Sequence, residues 1–175
     1  VFPAAILQAP FYSLEQSSSA NYGGIGAVIA HEISHAFDSN GASFDEYGSL
    51  NNWWTEEDYA AFESRTQQVI DQFEGQDSYG AKINGKLTVS ENIAALGGIA
   101  AALEAAKSEE DFSAEEFFTN FARIWRMKAR PEFMQMLASV DVHAPGHLRT
   151  NIQLPNFDEF HETFGVQEGD GMWRA

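Results

Sequence analysis

Apolar residues recur at helical spacing along most of the chain. From Gly23 to Asp38 the sequence reads GGIGAVIAHEISHAFD, and Ile25, Val28, Ile29, Ile33 and Phe37 predict a largely buried helix. Thr55 with Asp58 forms an acidic variant of the capping box, opening a helix over about 56–74. Its Tyr59, Phe62, Thr66, Val69, Ile70 and Phe73 make a core stripe. A further helix starts near Val89 or Ser90 and carries SENIAALGGIAAALEAAK. Ser113 with Glu116 announces another through FFTNFARIWRMKA, Pro131 opens PEFMQMLASV, and LPNFDEFHETFGV reads as a short amphipathic helix.

Polar and helix-breaking stretches separate these elements. Residues 1–12 are irregular around Pro3 and Pro10, Ser17 to Asn21 is a polar loop, and 39–52 is a loop or short hairpin. Residues 75–86 form a loop in which Asn84-Gly85 marks a turn. Pro145 and Gly146 rule out a regular helix through DVHAPGHLRTN, so His143 and His147 do not form an i, i+4 pair. The pattern predicts a mainly α fold with a few short β-strands, one domain over residues 1–175.

Composition narrows the function classes. With 44% hydrophobic residues and 14 Phe among 175 residues the chain can bury a core. Ten basic against 26 acidic residues give a net charge of −16, which argues against nucleic acid and anionic membranes as partners. The absence of cysteine excludes a disulfide framework, a thiolate metal site and a Cys nucleophile. No apolar run is long enough to span a membrane, and there is no N-x-S/T acceptor. The glycines at 23, 24 and 26 permit close backbone packing; no strand precedes them, so they do not read as a nucleotide loop.

The chemistry lies in His31-Glu32-x-x-His35. Histidines four residues apart project from one helix face and can meet one metal ion, while the intervening glutamate can serve as general base. Glu91, read as opening its helix among small and apolar residues, is the candidate third ligand, since a carboxylate buried there needs a partner or a metal. Two His and one Glu leave a fourth zinc position for water, the catalytic arrangement.

The blocks VFPAAILQAPFY, NYGGIGAVIAHEISHAFD, SENIAALGG, FFTNFARIW, RPEF and DVHAPGHLR, in this order, resemble the catalytic portion of the neprilysin and endothelin-converting-enzyme family of zinc metallopeptidases, gluzincins that include bacterial endopeptidase O. The resemblance covers nearly the whole chain. It implies a thermolysin-like catalytic domain, one Zn2+ per chain, and cleavage of short peptides on the amino side of apolar residues. Position by position it implies zinc ligation by His31, His35 and Glu91, with Glu32 as general base. Asp38 would orient His35, His143 would stabilise the oxyanion with Asp141 orienting it, and Arg149 would hold a substrate carbonyl. Ile6, Phe11, Val28 and Trp125 match residues lining the pocket for the side chain after the scissile bond; ordinary core packing is the competing reading of these four.

The chain also departs from that family. Where the family shows E-N-I-A-D, the sequence has Glu91-Asn92-Ile93-Ala94-Ala95, so the Asp that would orient His31 is replaced by Ala95. The large N-terminal covering domain, the N-A-Y-Y-type segment and the R-V-x-I-W-like tail are not in the sequence, which reads as a catalytic-domain fragment cut at both ends. The expected function is a zinc-dependent metalloendopeptidase; the alternatives are an impaired or inactive zinc-binding domain of the same fold, and a purely structural helical module. Expected partners are short peptides and the covering domain, with self-association through apolar surface around Phe11 and Trp125. The lack of Cys and of glycosylation signals points to a bacterial cytoplasmic location.

Overall fold

A computed structural model of the chain describes residues 1–174 and is mainly α-helical. The elements are α1 (Ser18–Asn21), α2 (Ala27–Ser34), α3 (Glu56–Phe73), β1 (Asp77–Ser78), β2 (Ala81–Lys82), α4 (Gly85–Ala106), α5 (Ala114–Ile124), α6 (Pro131–Val140), α7 (Gly146–Asn151) and α8 (Asp158–Phe164). They fall into two compact units, and both α2 and α4 contribute residues to each. No helix among the described residues is long and apolar enough to cross a membrane.

One unit gathers Val1 to Glu32, Ala95 to Met127 and the chain from Gly146 onward. Ile99, Ala102, Leu103 and Ala106 share one face of α4, and that face joins a core with Phe118 and Phe160. The rings of Phe118 and Phe160 meet edge to face, 5.6 Å between centroids. Ser17 to Asn21 is not a loop: Ser17 Oγ accepts from Ala20 N at 3.2 Å and caps α1. α1 is then tied to the cap of α5, where Ser113 N donates to the buried Ser19 Oγ at 2.8 Å. α5 stops at Ile124, short of its predicted end, as the chain turns at Trp125 with φ −92° and ψ 2°. α7 begins directly after Pro145, a six-residue helix in a stretch expected to have no regular one. Proline is compatible with a helix start, where its missing N–H costs nothing.

α2 does not bury the side chains its pattern suggested. Ile29, Ile33 and Phe37 are 40%, 66% and 55% exposed; the covered positions from Gly23 to Phe37 are Gly23, Gly24, Ile25 and Ala27. The reason is backbone contact on the small side of the helix. A Cβ on Gly23 would lie 2.1 Å from the Phe117 carbonyl oxygen, a separation only glycine permits.

The other unit gathers Ile33 to Ala94 and Lys128 to Pro145. Its buried side chains include Phe73, Ile83, Val89, Met134 and Ala138. Thr55 caps α3 as predicted, accepting from Asp58 N at 3.1 Å. The hairpin of β1 and β2 turns at Tyr79 and Gly80, both with positive φ. Asn84-Gly85 is therefore not a hairpin turn; it starts α4, with Leu87 N donating to Asn84 Oδ1 at 2.9 Å and Gly85 N to Glu74 Oε2 at 2.7 Å. α4 thus begins earlier than the pattern indicated, and Glu91 sits in its second turn instead of at its start.

Candidate metal centre

Three helical geometries meet in the segment that carries the histidines. A π-helical turn, Tyr22–Gly26, leads into α2, and α2 tightens into a 3-10 turn, His35–Phe37. His31 stands in the last turn of α2 and His35 opens the 3-10 turn. α4 approaches His31 closely: a Cβ on Gly98 would come within 2.6 Å of His31 N and 2.7 Å of its Cα.

Each ring nitrogen of His35 faces a carboxylate. Nδ1 meets Asp38 Oδ2 at 2.6 Å, and Nε2 lies 3.7 Å from Glu91 Oε1. The Asp38 carboxylate is 3% exposed. Burial pushes its pKa up, but hydrogen bonds, that of His35 first and then those of the Gly41 and Asn40 amides, outweigh that and hold it below the usual carboxylate range. A charged Asp38 fixes the proton of His35 on Nδ1 and leaves Nε2 as a lone-pair donor.

Glu91 also faces His143, with Nε2 to Oε2 at 3.3 Å. Asp141 Oδ1 grips the other end of that ring, 2.7 Å from Nδ1, and accepts the His143 backbone N–H at 2.9 Å. The expected Asp141–His143 pair is therefore formed. The proximity of His143 to Glu91 was not foreseen, because no spacing rule links positions so far apart in the chain.

One potential ligand atom from each of His31, His35 and Glu91 lies within 4.8 Å of the others, the one such group of three or more among the described residues. With zinc–nitrogen and zinc–oxygen bonds near 2.0–2.2 Å, neighbouring ligand atoms of a tetrahedral site stand about 3.3–3.6 Å apart. The 3.7 Å between His35 Nε2 and Glu91 Oε1 is close to that edge and longer than a hydrogen bond. Two imidazoles and one carboxylate, one imidazole backed by a buried aspartate, suit Zn2+ in chemistry and spacing.

The remaining site positions are distributed as follows. Glu32 is exposed on α2, directly after His31. Arg149 in α7 is buried, its guanidinium 4.3 Å from the centre of the Trp125 ring. This stacking, too, had no signal in the sequence. Ile6, Phe11, Val28 and Trp125 are all half-buried, and Phe11 accepts the Ile25 backbone N–H at 2.7 Å. Ala95 is buried, so the position that carries Asp in the expected pattern is an apolar one here.

Comparison with known proteins agrees with this geometry. The family model for peptidase family M13 matches residues 1–175. A neutral endopeptidase of Lactococcus lactis subsp. lactis is 64% identical over 175 residues, covering 100% of this chain and 28% of that protein. Neprilysin of Homo sapiens is 40% identical over 189 aligned residues, covering 98% of this chain and 25% of neprilysin. The structure of the Mycobacterium tuberculosis zinc metalloprotease Zmp1 in complex with an inhibitor superposes with a TM-score of 0.90 at 38% identity, over 99% of this chain and 29% of Zmp1. The chain spans about a quarter of the length of these relatives. With its His-Glu-x-x-His segment, a distant glutamate brought to it, and a match from the first residue to the last, the chain belongs to peptidase family M13.

Proposed function

We propose that this chain supplies the metal-binding, catalytic part of a zinc-dependent endopeptidase that hydrolyses short peptides on the amino side of apolar residues. The convergence of His31, His35 and Glu91 carries the reading, and the buried Asp38 on the far nitrogen of His35 supports it. Those three side chains would hold Zn2+; when bound, the ion would polarise a peptide carbonyl and bring the pKa of a water towards neutrality.

The chain's own groups take the other roles. Glu32 accepts a proton at its carboxylate and returns it to the leaving nitrogen. His143, held at Nδ1 by Asp141, offers Nε2–H towards negative charge developing on the substrate oxygen. Arg149, its guanidinium over the Trp125 ring, would donate to a substrate carbonyl, a role drawn from its match to the family pattern. Ile6, Phe11, Val28 and Trp125 would line the pocket for the apolar side chain, an assignment drawn from their match to the family pattern.

One observation favours a second reading, a zinc-binding domain with weak or no turnover. Ala95 offers no carboxylate where one is expected to orient His31, and losing such a partner typically costs about 10- to 100-fold in metal affinity or activity. A single experiment separates the two. Peptide hydrolysis by the protein should fall by orders of magnitude in Glu32→Gln while its zinc content stays the same. Zinc bound tightly with no hydrolysis in the unsubstituted protein would favour the second reading.

A further inference from the structure

The carboxylate behind His35 belongs to a chain of hydrogen bonds that reaches α4. Asp38 Oδ2 meets His35 Nδ1, and Oδ1 accepts the backbone N–H groups of Asn40 and Gly41, each at 2.7 Å. The turn that brings those amides round is tight: a Cβ on Gly41 would sit 1.9 Å from the His35 carbonyl oxygen. The Asn40 side-chain amide donates to Ser90 Oγ at 3.0 Å. Asn40 thus bridges the two, its backbone N–H on the Asp38 carboxylate and its side-chain amide on Ser90.

Ser90 immediately precedes Glu91 in α4, whereas Asp38, Asn40 and His35 lie on the segment that follows α2. The hydroxyl is therefore a cross-tie between the carrier of one candidate ligand and the turn whose amides hold the carboxylate that orients another. We propose that Ser90 is a positioning residue for the metal centre: through Asn40 and then Asp38 it fixes the His35 ring relative to Glu91. The inference rests on the reading of His31, His35 and Glu91 as zinc ligands, and deepens it.

The physical reason lies in the freedom left to the carboxylate. Two backbone amides hold Oδ1, but both come from the turn that Asp38 itself begins, so they move with it. By accepting from the Asn40 side chain, Ser90 anchors that turn to a separate element; without the anchor a small rotation of Asp38 becomes a displacement of His35 Nε2 from Glu91. Sites built for a ligand lose affinity steeply when supporting groups loosen by fractions of an ångström. Alanine at position 90 removes the tie; threonine keeps the hydroxyl.

The test is a Zn2+ titration of the protein against a competing chromophoric chelator, with thermal melting of the metal-free forms alongside. Ser90→Ala should weaken zinc binding about tenfold, the lower end of the range for groups that support ligands, and Ser90→Thr should restore most of it. The metal-free melting temperature of Ser90→Ala should stay near that of the parent. In an Asp38→Asn background Ser90→Ala should add little, because the path runs through that carboxylate. Unchanged zinc affinity in Ser90→Ala, or an effect of equal size with Asp38 replaced, overturns the inference while leaving the metal centre standing. An unsubstituted protein that takes up no zinc overturns both.

Discussion

Gly98 shows how little room the centre leaves. The position has no side chain, and the space a methyl group would fill holds the backbone nitrogen and Cα of His31. Gly98→Ala must push α4 away from the residue that carries the first candidate ligand. Overpacking of this kind costs about 1–3 kcal/mol, and here it also displaces His31. The expected outcome is a lower melting temperature of the metal-free protein together with weaker zinc binding, measured on the same sample. A variant that melts early but binds zinc as before would show that His31 adjusts to the methyl group. The contrast with Ser90 is useful: one substitution acts through volume, the other through a hydrogen bond at nearly constant volume.

At the scale of elements, caps do much to fix where helices begin. Ser113 opens α5 by accepting from Glu116 N at 3.3 Å, and its own N–H goes to the buried Ser19 Oγ on α1. Ser19→Ala leaves that part-buried N–H without its acceptor, a loss of about 1 kcal/mol, readable as a drop in the urea midpoint. Capping signals of this sort are local, and both were legible: Thr55 with Asp58 and Ser113 with Glu116 start helices where the pattern placed them. Elements whose start depends on distant partners were less legible. α4 begins at Gly85 partly because Glu74, from the end of α3, accepts the Gly85 N–H, and no neighbour in sequence announces that bond. The metal-ligand pattern was legible for a similar reason to the caps. His31 and His35 are bound by one helical turn, whereas the supporting groups Ser90 and Asn40 come from stretches related only through folding.

For the whole molecule, the acid excess leaves few cations to pair, and Lys107 is one with partners on two elements. It bonds Glu159 on α8 and lies 3.5 Å from Glu104 in its own neighbourhood. Glu159 is held below the usual carboxylate range by the Lys107 hydrogen bond, so its contribution to stability is present at neutral pH and is lost as pH falls through that lowered value. Lys107 is raised by the same partner, so its contribution fades only as pH rises past the ordinary lysine range. The stability difference between the parent and Lys107→Met should therefore be present near neutrality and vanish in strong acid. It should be small, as expected for a solvent-facing pair.

The order of the chain matters at this scale as well. The first compact unit is assembled from three stretches separated in sequence, and its last stretch begins at Gly146. A ribosome that has finished Glu91 has already made every residue proposed to bind zinc, yet Leu154 and Phe160, which complete the core beneath α4 and α5, have still to be added. During synthesis the ligands thus wait for their scaffold. Metal loading is expected to follow synthesis of that last stretch, not of the ligands themselves.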